Sequence, residues 1–227
     1  YMKKFLFSIA IILFLTSKNS AHVDHYSKYN YLEYELFRNN QSIGFHKYIF
    51  NRKNGNLIID NEVSFKITKF GVDLYKYYAS GQERYNNGKF IGFNSTTNQN
   101  KKEKFVNITI DPNDKSLIID GSSFKGKTDK EKIIGTWWNH EIVKKKAQIS
   151  AVSGRIIEQK VKFVGKETIK IGDKAFKTLR FNFSSSDPSL SKDKKLNTDI
   201  WYEEGTYLWV KAAFDKTGYW EYRLKVA

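Results

Sequence analysis

The sequence predicts an all-β protein, a curved antiparallel meander forming an open barrel or a sandwich. Two observations predict it. Apolar residues recur with a period of two over most of the chain, which puts one row on a core face and the other in water. Turn signals fall between these runs at short intervals, so strands adjacent in sequence pair in space. In the row Ile59, Asn61, Val63, Phe65, Ile67, only Asn61 breaks the apolar set, and Asp60, Glu62, Ser64, Lys66 and Thr68 alternate with it. The same rhythm returns at Val106–Ile110, Leu179–Phe183 and Trp220–Val226.

Taken in order, strands are expected near 30–38, 44–52, 57–69, 73–85, 89–98, 102–110, 116–120, 156–165, 167–171, 175–183, 198–203, 207–214 and 219–226. Asn54-Gly55 and Asn87-Gly88 are hairpin turns, because both residue types tolerate positive φ. Asp111-Pro112-Asn113-Asp114 and Gly172-Asp173 close two more. One short helical segment is predicted near 128–146. Thr128-Asp129-Lys130-Glu131 has capping-box form, and Ile133, Ile134, Trp137, Trp138, Glu141 and Ile142 follow at helical spacing. Ser184–Lys195 reads as a polar loop. Tyr75, Tyr77 and Tyr78 with Leu74 make a strand apolar on both faces, either covered on both sides or lining a cavity.

The first 21 residues read as a signal peptide: Lys3 and Lys4 precede the apolar run Phe5–Thr16, which is too short to span a bilayer. Cleavage is expected between Ser17 and Ala21, leaving a single β domain over 22–227, periplasmic or secreted, with no transmembrane segment. The 227-residue chain contains no cysteine, which excludes disulfides, zinc-thiolate sites and thiol nucleophiles. Its net charge is +15, falling to +12 once Lys3, Lys4 and Lys18 are removed with the leader. Such a surface suits an anionic envelope glycan or membrane, or reflects compositional bias; export makes nucleic acid an unlikely partner class.

Catalytic patterns are absent. There is no Gly-x-Ser-x-Gly elbow, P-loop or dinucleotide fingerprint, and Glu203-Glu204 face opposite sides of a strand. No cofactor is expected. For metal, cleavage after Ala21 would give His22 a free amine beside its imidazole, and with His25 or His46 that set suits copper. The simpler reading of these histidines is incidental, and no metal site is assigned. Ligand binding is assigned to Trp137, Trp138, Asn139, His46 and Tyr75. The indoles and Asn139 would line a pocket mouth, or the two tryptophans would fasten the helix to the sheet. His46 would pack on aromatic rings, with Gly44 admitting a neighbour's backbone.

Several of these residues carry a resemblance. Gly44-Phe45-His46, Phe70-Gly71-Val72 with Leu74-Tyr75, Glu83-Arg84-Tyr85, Trp137-Trp138-Asn139, Ser153-Gly154-Arg155, Trp201-Tyr202 and Glu221-Tyr222-Arg223-Leu224 appear in that order. The pattern resembles an exported bacterial family of domains of unknown function, family 6134. The resemblance implies a periplasmic envelope protein with one antiparallel β domain, similar in shape to half-barrel lipoprotein carriers, and it supplies no reaction. The expected function is a non-enzymatic carrier of an apolar or amphiphilic envelope ligand (a lipid or acyl-bearing precursor). The alternative is an interaction module with a basic face and no ligand cavity. A third is a metal-dependent or hydrolytic enzyme.

Overall fold

The computed structural model describes residues 25–192 and 194–227; the expected leader and His22 lie outside them. Fifteen strands form one sheet. In chain order they are β1 (Tyr31–Arg38), β2 (Gln41–Lys53), β3 (Asn56–Lys69), β4 (Val72–Asn86), β5 (Lys89–Gln99), β6 (Lys102–Ile110), β7 (Leu117–Gly121), β8 (Lys125–Thr128), β9 (Ile133–Ile134), β10 (Ala147–Ile149), β11 (Ile156–Ile171), β12 (Lys174–Ser185), β13 (Asn197–Glu203), β14 (Trp209–Asp215) and β15 (Tyr219–Val226). Each strand pairs with its neighbours in sequence, except that β8 and β9 are the two edges and β1 pairs antiparallel with β15. Every ladder is antiparallel except β9 with β10.

The first six strands are joined by five two-residue turns whose central residues all have positive φ: Asn39-Asn40, Asn54-Gly55, Phe70-Gly71, Asn87-Gly88 and Asn100-Lys101. That is the backbone of a type I′ hairpin, whose twist matches the strands it joins. Asparagine reaches this left-handed region at little expense and is the first residue in four of the five.

The short helical segment expected near 128–146 is present as one 3-10 turn, without the capping box at Thr128 and without a continuous helix through the segment. Thr128 ends β8, and Asp129 Oδ1 accepts from the Glu131 amide at 2.7 Å, closing a local turn instead of a capping box. A Cβ at Gly135 would stand 2.2 Å from Gln148 Oε1, so the chain there lies flat against β10. Only His140–Lys144 is helical, as a single 3-10 stretch, with Asn139 Oδ1 accepting from the Glu141 amide at 3.2 Å. The one-sided apolar spacing does not extend the helix further because this segment runs through the interior, where neighbours surround it. Three short strands, β8, β9 and β10, were not foreseen. The expected break near residue 166 is a bulge between Phe163 and Gly165 within one continuous β11.

Residues 129–155 cross the concave side of the sheet and stitch to it. Ser95 Oγ donates to the Ala151 carbonyl, and the Ser123 amide donates to Ser153 O at 2.9 Å. Gly154 must be glycine, since its φ is +77° and a Cβ would approach Val106 Cγ2 to 2.7 Å. Two apolar clusters result. The smaller gathers Phe93, Val106, Ile108, Leu117, Ile119, Ile134 and Ile149. The larger centres on Trp209, fully buried and stacked on Tyr34 at 3.9 Å. The Trp209 backbone is held at both ends by phenols: its amide donates to the Tyr26 hydroxyl at 2.8 Å and its carbonyl accepts from Tyr34 at 2.8 Å. Gly44 allows β3 to approach, because a Cβ there would meet Ser64 O at 2.0 Å.

Trp209→Ala is expected to destabilise the protein by about 3–5 kcal/mol, the range for a large aromatic removed from a core. An equilibrium urea titration measures it as a lowered midpoint at unchanged slope.

Candidate functional site

A buried carboxylate stands where the crossing segment meets the sheet. Glu83 belongs to the inward row of β4 with Ala79 and Tyr85, and it is 1 % exposed. Its Oε1 accepts from Thr136 Oγ1 at 2.6 Å and from Trp138 Nε1 at 3.0 Å, and its Oε2 accepts from the Tyr85 hydroxyl at 2.9 Å. Burial raises the Glu83 pKa above its ordinary value, outweighing the three donors that favour the charged form. Trp138 is itself fully buried, edge-on to Tyr26 and Phe50. This contact fastens the crossing segment to β4, and two spaces lie near it, one lined by Tyr85 and Asn139 and the other by Thr136 and Trp137.

The larger space is a cleft of about 680 Å³. Its walls include Tyr85, Phe90, Ile110, Leu117, Ile133 and Ile134, an apolar lining. Five lysines, Lys89, Lys115, Lys130, Lys132 and Lys145, edge it against one carboxylate, Glu141, with Asn139 between. Lys145 pairs with Glu131 at 3.3 Å, whereas Lys89, Lys130 and Lys132 make no ion pair among the described residues.

The smaller space, about 200 Å³, lies beside His46, Asn61, Tyr77, Trp137 and Tyr222 and has no Asp, Glu, Lys or Arg in its lining. His46 Nδ1 and Asn61 Nδ2 are covered and make no hydrogen bond. The ring of His46 lies 4.4 Å from that of Tyr48, and burial lowers its pKa to about 3, so the imidazole is neutral at physiological pH. Part of the residue's surface still faces the pocket.

The five residues assigned from sequence therefore separate. His46 and Trp137 share the smaller pocket, and Asn139 lines the cleft. Trp138 lines neither and is the fastening indole. Tyr75 also lines neither; it stacks on Phe65 at 6.0 Å. His25 rests against His140 at 4.9 Å and Tyr207 at 5.8 Å. Among the described residues, no group of three or more His, Cys, Asp or Glu is arranged to hold a metal ion, and no helix is long and apolar enough to cross a membrane. Glu83, Phe90, Lys130 and Lys132 were not singled out as site residues. For Glu83 a signal was present: a carboxylate in the apolar row of an alternating strand.

The family described as Domain of unknown function (DUF6134) matches residues 34–225. The chain belongs to that family. No curated protein matches it. Among solved structures, a beta-barrel-like protein of Domain of Unknown Function DUF1849 from Brucella abortus superimposes with a TM-score of 0.61 at 11 % identity, covering 86 % of this chain and 94 % of that one. At that identity the likeness is one of fold: a barrel-like all-β architecture.

Glu83→Gln is expected to fold, because Tyr85 can reverse its hydroxyl to accept from the new amide. The raised pKa of Glu83 contributes stability that is present below about 4.5, its ordinary value, and is lost as pH rises through the folded-state pKa. Urea titrations across that window should show the stability of wild type relative to Glu83→Gln falling as pH rises. Glu83→Ala, which orphans three buried donors, should lose at least about 2 kcal/mol at any pH.

Proposed function

We propose that this protein is an exported, non-enzymatic envelope module that binds an amphiphile with an apolar chain and an anionic head. The cleft beside Asn139 carries the reading. Its volume falls in the range of small-ligand sites, about 300–1,000 Å³, and its apolar walls and lysine edge divide the work between two parts of one molecule. Each methylene removed from water contributes about 0.8 kcal/mol, so a chain of eight supplies about 6 kcal/mol before ordering losses. An exposed lysine–phosphate contact adds about 1 kcal/mol. The walls thus supply affinity, and the lysines select the sign of the head. The secretory leader read in residues 1–21 and the absence of cysteine support an envelope location. No nucleophile–base pair was found in the sequence, which supports binding without turnover.

Native mass spectrometry of protein purified from its own envelope, with lipid extraction, should show a bound amphiphile. The double variant Lys130→Glu/Lys132→Glu should weaken binding of a fluorescent anionic lipid by about tenfold or more while leaving a neutral analogue nearly unaffected. Equal loss for both probes, or protein that carries and takes up no lipid, would remove the support for this function.

A further inference from the structure

The hairpin of β3 and β4 outruns its neighbours. Pairing of β2 with β3 stops at Gly44 opposite Phe65, and pairing of β4 with β5 stops at Tyr77 opposite Gln99. Residues 66–76 therefore form ladder pairs only with each other, and the Lys76 carbonyl at their base accepts from the Asn100 amide at 2.8 Å. They form a two-stranded arm extending roughly 13 Å past its neighbours' ladders.

Its tip is anomalous by the protein's own standard. Phe70 is 93 % exposed and sits at φ +50°, followed by Gly71 at +77°. The four other turns with this φ pattern begin with Asn39, Asn54, Asn87 and Asn100, at φ between +45° and +52°. A phenylalanine in the left-handed region is a steric outlier, and an exposed ring gains nothing from burial. Neither the turn nor the core accounts for it. Val72 and Leu74 follow on the same arm, 62 % and 55 % exposed. Leu74 is the extra residue at the bulge opposite Ile67 and Thr68. Lys69 stands opposite Val72 beside the tip, and Lys66 and Lys76 face each other behind them. The arm's single acid, Asp73, is occupied within it by Lys76 at 3.1 Å, Lys66 at 3.8 Å and Thr68 Oγ1 at 2.8 Å.

An apolar tip backed by a basic collar matches the depth profile of a charged bilayer, in which acyl boundary lies beneath phosphates. We propose that residues 66–76 form a docking arm for a bilayer of anionic phospholipid, Phe70, Val72 and Leu74 entering the acyl boundary and Lys66, Lys69 and Lys76 meeting the phosphates. This stands apart from the cleft: Lys130→Glu/Lys132→Glu should retain vesicle binding even where it loses lipid uptake.

The test is sedimentation of the purified protein with phosphatidylglycerol/phosphatidylethanolamine vesicles. Phe70→Asn restores the Asn-Gly turn used elsewhere in the chain, so its melting temperature should hold or rise while vesicle affinity falls about tenfold. Because the chain has no cysteine, Val72→Cys and Asn100→Cys can each carry one environment-sensitive fluorophore. Emission should shift to the blue on vesicles at position 72 and stay fixed at position 100. The proposal is overturned by Phe70→Asn binding as tightly as wild type, by an unshifted label at position 72, or by equal binding to neutral phosphatidylcholine vesicles. A soluble protein that binds the arm without any vesicle affinity would equally overturn it.

Discussion

The fold depends on what fills its concave side. Fifteen strands in one open sheet would leave a large curved face wet, and no helix layer among the described residues covers it. The chain covers part of it with residues 129–155, which carry edge strand β9 and its neighbour β10 and pack Trp138 against β4. Trp138 is the anchor of that passage, and its indole N–H is satisfied by Glu83. A carboxyl in an interior normally works against folding, and here three donors offset part of the cost of burying it. The bond ties the crossing segment to β4 at one point.

Aromatic hydroxyls play the corresponding part on the other side of the core. Tyr26 and Tyr34 grip the backbone of Trp209, and Tyr202 donates to the Trp137 carbonyl at 2.9 Å. Each phenol buries a ring and satisfies a main-chain group. A core rich in tyrosine can thus hold irregular backbone that an aliphatic core would leave unsatisfied.

Much of the architecture was legible in local pattern. Period-two rows and turn residues located all but the shortest strands, because a half-buried sheet writes its two faces directly into the chain. The short helical segment near 128–146 is confined to His140–Lys144, because upstream of it Gly135 lies against β10 as a helix could not. The site was only partly readable. Trp137 and Asn139 do line cavities, but different ones, on either side of Trp138. The better signals were exceptions within regular rows: Asn61 in β3 lines the smaller pocket, and Glu83 in β4 holds the crossing segment. The lysine edge draws on residues from 89 to 145, which only the curvature of the sheet brings together.

The pairing of β1 with β15 places Glu35 opposite Arg223, nearly the full length of the chain apart. During synthesis from the N-terminus, β1 has one flank satisfied early by β2 and the other vacant until β15 emerges. For that interval its unpaired amides and carbonyls are available to any passing ribbon of the same kind. A nascent chain of this design therefore gains from an escort that shields the first strand, and stalling or clipping near residue 219 would leave a seeding surface for self-association.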